Sequence, residues 1–451
     1  KPNILFFFAD DHRYDTIRAL GNPHIQTPNL DQLVRTGTSF VNAHIMGGSC
    51  PAVCMPSRAM LMTGRTLFHL EECGALIPAS HRLLGEVLQT GGYDCFGTGK
   101  WHNGTEAYAR SFNGGAEIFF GGMDDHWNVP ACNFQHDGHY PEPREYRKDT
   151  GTGVCTNVPV VYDHICAGTH SSELFADAAI SFLEKREKSP PFFLYLAFMA
   201  PHDPRTMPKR FLDMYDPETV PLPDNFLEKH PFDNGELDVR DEMLAAKPRD
   251  PQEIRRHIAD YYAMITHLDA EIGRVLDALR ESGEYENTLI IFAGDNGLAV
   301  GQHGLMGKQN LYDHSVRVPL IFSGPSIPQG ETRTAFCYLS DIFPTLCELT
   351  GQPVPATVEG ISLVPALRTP QNPLRATLFC AYRDIQRSVR DRRHKLIRYT
   401  VNGTETLQLF DLVDDPAERN NLAADPVYKE TLQYLRQELA EWQTQLDDPA
   451  P

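Results

Sequence analysis

A chain of 451 residues is too long for one ordinary hydrophobic core, so one large domain with a smaller companion is the default. Its 41% hydrophobic and 22% charged residues are those of a water-soluble globular protein, and no apolar run is long enough to cross a membrane. A formal net charge of −19 argues against nucleic-acid binding, which needs a basic face, but leaves room for a small basic pocket that grips an anion.

Lys1-Pro2 runs straight into an apolar stretch, as in a chain whose leader has been removed or left out of the numbering. That stretch, Asn3–Ala9, reads as a strand buried on both faces. TPNLDQLVRTG follows as a helix, with Thr27 as its cap and Pro28 at its first position. SRAMLMTG reads as a short helix, SHRLLGEVLQTGG as a helix capped by Ser80, and YDCFGTG as a strand. SSELFADAAISFLEKREK is an amphipathic helix, and PPFFLYLAFMAPH a buried strand after it. The long stretch from Pro251 to Gly283 has apolar residues at helical spacing; strands NTLIIFAG and VRVPLIFSG and the helix DIFPTLCELTG come next. The alternation predicts an α/β fold with a large mixed, mostly parallel sheet flanked by helices, over residues 1–356.

The pattern weakens over residues 105–169 and 204–250, which are rich in Gly, Pro, Asp, Asn and His and read as excursions over one face of the sheet. Residues 357–451 have a different character. Alternating runs around Asn402-Gly403 suggest antiparallel hairpins, and PVYKETLQYLRQELAEWQTQL a helix packed on them, which together make a smaller C-terminal α+β domain.

Four strand-like runs end in polar residues that a fold does not need: Asp10-Asp11, Lys100-Trp101-His102, Pro201-His202-Asp203 and Asp295-Asn296. Each alone reads as a turn or a cap. Together they fall at the carboxyl ends of strands, where open α/β sheets bind ligands. Asp10, Asp11, Asp295 and Asn296 offer oxygen atoms, which suit calcium or magnesium better than zinc. Lys100, Arg58 and Lys308 supply positive charge, and His102 and His202 transfer protons near neutral pH. A hard cation among lysines and an arginine describes a pocket for a phosphate or a sulfate. Cys54 stands at the mouth of a short helix beside Arg58, where a helix N-terminus favours an anion. Ten cysteines do not make a disulfide scaffold, although Cys50 and Cys54, or Cys155 and Cys166, are pairs open to an exported protein. A zinc reading of Cys50 and Cys54 lacks a second ligand pair.

Cys54-Met55-Pro56-Ser57-Arg58, followed by Thr63-Gly64-Arg65, resembles the C-x-P-S-R-x4-T-G-R signature of type I, formylglycine-dependent sulfatases in the alkaline-phosphatase-like superfamily. The likeness runs through Asp10-Asp11, Lys100, His102, His202, Asp295-Asn296 and Lys308 to the C-terminal phrase LFDLVDDPAERNNLA. It implies that Cys54 is oxidised to Cα-formylglycine by a formylglycine-generating or anaerobic sulfatase-maturating enzyme, which reads Pro56 and Arg58 before folding. It also implies calcium, with magnesium as the alternative, held by Asp10, Asp11, Asp295 and Asn296. In the implied reaction one hydroxyl of the hydrated aldehyde, deprotonated toward Asp295, attacks sulfur. Lys100, Lys308 and the cation stabilise the sulfate oxygens, His202 protonates the leaving oxygen, and His102 drives release of sulfate.

The expected substrate is a sulfated carbohydrate, with Arg205 and His303 at the rim and Trp101 and Trp127 stacking on a ring. An aryl or choline sulfate, and a phosphodiester or phosphonate monoester in the same superfamily, are the alternatives. A hydrolase using the unmodified Cys54 thiolate would leave the oxygen-rich cluster idle. Of the Asn-Gly-Thr sequons at Asn103 and Asn402, the first adjoins the expected pocket, which favours a periplasmic or secreted bacterial protein over a lysosomal one.

Overall fold

The computed structural model describes residues 1–149, 155–370 and 373–450. An eight-stranded sheet runs in the order Glu331–Arg333, Gly37–Phe40, Leu320–Ser323, Thr288–Gly294, Asn3–Ala9, Phe192–Ala197, Asp94–Lys100 and Gly114–Phe119. Its pairings are parallel except the two made by Leu320–Ser323, so the sheet is mixed and mostly parallel, as expected. The strand Gly114–Phe119 lies inside the first excursion and was not legible as a strand.

The apolar run Asn3–Ala9 is central because both of its faces are covered. Ile4, Phe6 and Phe8 join a core with Leu61, Leu84 and Phe343, while Leu5 and Phe7 join another with Phe175, Leu268 and Leu276. Helices Pro28–Thr36, Ser171–Lys185 and Pro251–Glu281 therefore form one layer, and Cys54–Thr63, Leu84–Thr90 and Ile342–Thr350 the other. The long helix starts with Pro251 in its first turn, under an Asp250 carboxylate that accepts from the amides of Gln252 and Glu253 at 3.0 and 2.9 Å. The helix expected from Ser80 starts instead at Leu84. Residues 78–81 form a turn, and Glu86 reaches back to accept from the Leu83 amide at 2.7 Å, which fixes the start there.

The smaller unit is an antiparallel meander of Leu378–Tyr382, Gln386–Arg390, His394–Val401 and Thr404–Asp411. Asn402 and Gly403 turn its last hairpin with positive φ. The helix Lys429–Gln445 covers it through Leu435 and Leu439. Its fifth strand comes from far upstream, where Gly47–Gly48 pairs in parallel with Ala381 and Tyr382. No helix among the described residues is long and apolar enough to cross a membrane.

Candidate active site

The strands Thr288–Gly294, Asn3–Ala9, Phe192–Ala197 and Asp94–Lys100 are consecutive in the sheet and mutually parallel. Their carboxyl ends therefore deliver Asp295, Asp10-Asp11, His202 and Lys100 to one edge. The register sets neighbours directly: Ala9 is opposite Gly294, the Asp295 amide donates to the Ala9 carbonyl at 2.9 Å, and the Asp10 amide to that of Ala200 at 3.0 Å. Asp11 takes a left-handed conformation, φ 61°, held by its amide donating to Asp295 Oδ1 at 3.0 Å and by the Tyr261 hydroxyl donating to its carbonyl.

Cys54 is the first residue of the helix Cys54–Thr63. Its Sγ lies 3.4 Å from Lys100 Nζ and 3.4 Å from His102 Nδ1. Pro56 occupies the first turn, where a missing N–H costs nothing. Ser57 donates to the Asp295 carbonyl. Arg58 is fully buried: Nε donates to Asp295 Oδ2 at 2.9 Å, Nη1 to the Lys100 carbonyl at 2.8 Å, and the guanidinium covers the Phe8 ring at 4.9 Å. Arg58 thus spans three of the four strand ends. Gly64 closes the helix with φ 66°, and its carbonyl accepts from the amides of Glu359 and Gly360 at 2.8 and 3.1 Å. Arg65 adds a bond to the Thr357 carbonyl at 3.2 Å, so the second half of the motif fastens the helix to the start of the C-terminal region.

Asp10 bonds Lys100 Nζ; Asp11 Oδ1 accepts from Lys308 Nζ at 2.6 Å and from the Asn296 amide at 2.7 Å; Asp11 Oδ2 lies 3.6 Å from His202 Nε2. Ligand atoms of Asp10, Asp11 and His202 fall within 4.8 Å of one another, as do those of Asp10, Cys54 and Asp295. Asp10 Oδ1 and Asn296 Oδ1 are buried and have no hydrogen-bond partner. Burial, then the neighbouring Asp295, pushes the Asp10 carboxyl up to about 8 despite Lys100. Two orphaned oxygens, and carboxylates crowded away from water, fit a hard divalent cation. Asp10, Asp11 and Asp295 cancel the formal charges of Arg58, Lys100 and Lys308, all of them buried. A divalent cation would tip this chamber positive, the right sign for a sulfate ester.

Burial pushes the Cys54 thiol up, with Lys100 and Lys308 opposing, so an unmodified thiolate is not the favoured form. The His202 ring is held well below the usual range, by burial first and then by Lys308. Its Nδ1 hydrogen-bonds to the Asp203 carbonyl at 2.8 Å, and Asp203 is paired with Arg240. Burial works against the charge on Lys308, but Asp11, Cys54 and Asp10 hold it well above the usual lysine range.

The remaining expected residues scatter. Trp101 is 1% exposed and walled by Tyr108, Phe112 and Tyr195, with its indole N–H donating to the Gly104 carbonyl at 2.8 Å; it has no face left for a sugar. The expected stacking role is corrected: the residue after Lys100 points into the core, and only His102, at φ 71°, turns back to the chamber. The rim role expected of His303 is corrected too. Its ring is buried, stacked 3.8 Å from Tyr312, with Nε2 3.1 Å from the Asn225 amide nitrogen. Arg205 is half-buried over the Tyr261 ring, 3.2 Å from His257 Nδ1, and Trp127 is half-buried with its edge to His170. Asn103 is buried and donates to the carbonyls of Met55 and Gly74 at 3.0 and 2.7 Å, so in the folded protein this sequon has no amide for a glycan.

Cys50 and Cys54 are both free thiols, and the Cys155–Cys166 pairing falls on a side chain outside the described residues. Sequence reasoning missed Phe8, Tyr261, Arg240 and His126, whose Nε2 is 3.0 Å from the His202 carbonyl. The stretch 121–128 brings Gly122 against the His102 ring, where a Cβ would meet Nε2 at 2.8 Å.

The sulfatase family model matches residues 2–352, and one described as N-sulphoglucosamine sulphohydrolase, C-terminal, matches residues 301–445. An N-acetylglucosamine-6-O-sulfatase of Bacteroides thetaiotaomicron is 27% identical over 523 residues, covering 100% of this chain and 88% of its own. A solved sulfatase-like chain in complex with its substrate D-glucosamine-2-N,6-O-disulfate superposes with a TM-score of 0.75 at 24% identity, covering 100% of this chain and 99% of that one. The phosphonate monoester hydrolase of Agrobacterium radiobacter superposes with a TM-score of 0.77 at 22% identity, covering 99% and 96%. These superpositions establish the fold and do not by themselves separate the two chemistries.

Proposed function

This chain belongs to the sulfatase family and is a sulfuric ester hydrolase; we propose that it desulfates carbohydrate, with Cys54 as Cα-formylglycine and calcium as its cation. The observation that carries the chemistry is Cys54 in the first turn of its helix, 3.4 Å from both Lys100 and His102 and beside a carboxylate cluster with orphaned oxygens. The carbohydrate reading is supported by the full-length likeness to an N-acetylglucosamine-6-O-sulfatase. Arg205 and Trp127 remain the candidates for sugar contact.

When present, the hydrated aldehyde supplies a hydroxyl to sulfur, and the cation held by Asp10, Asp11, Asp295 and Asn296 polarises the sulfate oxygens. Lys100 and Lys308 place positive charge against the negative charge carried by the sulfuryl oxygens. Asp295 lies close enough to residue 54 to accept the attacking hydroxyl's proton. His102, in reach of residue 54, takes the proton whose departure frees sulfate. His202 donates to the leaving oxygen; the entering anion, with Asp203, opposes the burial and then the lysines that otherwise keep its ring neutral. Arg58 positions Asp295 and the Lys100 backbone and touches no substrate.

Cys54, Pro56 and Arg58 are buried in the folded chain, so a formylglycine-generating or anaerobic maturating enzyme would read them before folding. Residues 1–356 carry the chemistry in this reading, and residues 357–451 reach the segment that follows Lys308 through Gln386, which donates to the Gln309 carbonyl at 3.2 Å. Relatives from bacteria, and the buried Asn103 amide, support a periplasmic or secreted location. Desulfation assays over sulfated mono- and disaccharides, beside aryl sulfate, phosphodiester and phosphonate monoester, test the proposal. Turnover of aryl sulfate or phosphorus esters with no sulfate released from any sugar overturns it. Mass spectrometry of the peptide spanning residue 54 tests the aldehyde.

A further inference from the structure

At the far edge of the main sheet, Gly114–Phe119 carries a register shift against Asp94–Lys100, and Glu117 sits there with φ 47°. A non-glycine residue in the left-handed region at an irregular strand edge re-aims its side chain. Glu117 is aimed at a two-stranded sheet from the excursion, His164–Ala167 paired with Asn128–Ala131. That sheet is joined to the edge by the Ile118–Cys132 bridge, with reciprocal backbone bonds of 2.9 Å.

His164 and Cys166 are two apart on one strand and so share a face, while Ile165 between them is exposed. Glu117 Oε2 lies 2.8 Å from His164 Nε2 and 3.1 Å from Cys166 Sγ, and the three ligand atoms fall within 4.8 Å of one another. The other ring nitrogen of His164 is bonded to Asp163, a carboxylate placed to orient the ring and to keep the proton on Nδ1 when Nε2 takes a metal. The group is separate from the catalytic cluster and plays no part in the chemistry above.

We propose that Glu117, His164 and Cys166 form a second metal site, for zinc. Mixed sulfur, nitrogen and oxygen donors suit zinc, unlike the oxygen-rich catalytic set. Tetrahedral zinc at its usual bond lengths places such ligand atoms roughly 3.3–3.6 Å apart, so the 2.8 and 3.1 Å separations from Glu117 Oε2 need to open by only about half an ångström. On binding, the Cys166 thiol proton and the His164 Nε2 proton, which Glu117 holds in the metal-free site, both leave to solvent; Sγ, Nε2 and Oε2 become ligands, and water takes the fourth position. The ion would clamp the excursion to the sheet edge; the same excursion carries His126, which holds the His202 backbone.

Cobalt(II) titration of the metal-free full-length protein tests this, because a thiolate ligand to cobalt gives a charge-transfer band and a tetrahedral site gives strong d–d bands. The bands should saturate at one equivalent, persist in Cys54→Ser, and be displaced by zinc but not by calcium. Cys166→Ser and His164→Ala should each abolish them, with Glu117→Gln weakening them if either of those variants fails to fold. Absence of the bands, their loss in Cys54→Ser, or their survival in Cys166→Ser overturns the proposal.

Discussion

Replacing Arg58 by methionine tests whether the buried acids are gathered around a cation. Methionine keeps an apolar chain over Phe8 but removes the 2.9 Å bond to Asp295 and the charge 3.8 Å from Asp10. Stripping one partner from a buried ion pair costs about 3–5 kcal/mol. For a chain of this length unfolding as one unit, that is a fall in Tm of about 3–5 °C in chelator. The variant's cluster is more negative, so it should hold a divalent ion more tightly than the wild type does. An ion at a hundred times its dissociation constant adds about 2.7 kcal/mol to the wild type. The variant should gain more, so calcium should narrow the gap by the difference between the two gains. The assay is thermal unfolding in chelator and in excess calcium, above pH 8, because burial and Asp295 push Asp10 up to about 8. A gap that calcium leaves unchanged or widens refutes the reasoning.

The same carboxyl gives a pH dependence. Asp10 is raised from 3.8 to about 8, so its contribution to stability is whole below pH 4 and is lost as pH rises through 8. Unfolding in chelator should show that decline, and calcium should flatten it; a rise with pH in this window contradicts the assignment. Lys308→Ala should lower kcat by about 100- to 1,000-fold on any sulfate ester, since it removes a charge from the developing oxyanion. His202→Ala should cost about 100- to 10,000-fold on sugar sulfates and far less on aryl sulfates, whose leaving oxygens need no proton; equal losses on both would remove its acid role. Trp101→Ala should destabilise by about 3–5 kcal/mol through the cavity it leaves, with KM for sugar sulfates unchanged in the folded protein; a raised KM at unaltered Tm would restore the stacking role.

The catalytic cluster was legible because each of its pieces ends a buried strand in polar residues that no turn requires, and the sheet rule then places those ends together. Cys54 to Arg65 was legible for a different reason: its residue types and spacing match a family signature, although Ser57 and Arg58 answer to Asp295, 238 and 237 positions away. Long-range partners left no such trace. Tyr261 meets Asp11 across 250 positions, and His126 meets His202 across 76. Trp101 misled because the alternation that turns His102 to the chamber turns its neighbour into the core. The antiparallel direction of Leu320–Ser323 leaves no mark in an apolar run, and the irregular edge strand at Glu117 lacks the regular alternation that would announce it.

The upstream strand Gly47–Gly48 ends only a few residues before Cys54, yet its sole partner among the described strands, Leu378–Tyr382, lies far downstream and is made much later. While the ribosome is still working, the signature peptide hangs on an unfinished seam. If residue 54 is modified as proposed, the delay built into this topology would leave the modifying enzyme an extended chain to work on, and closure of the seam would then seal the altered residue inside.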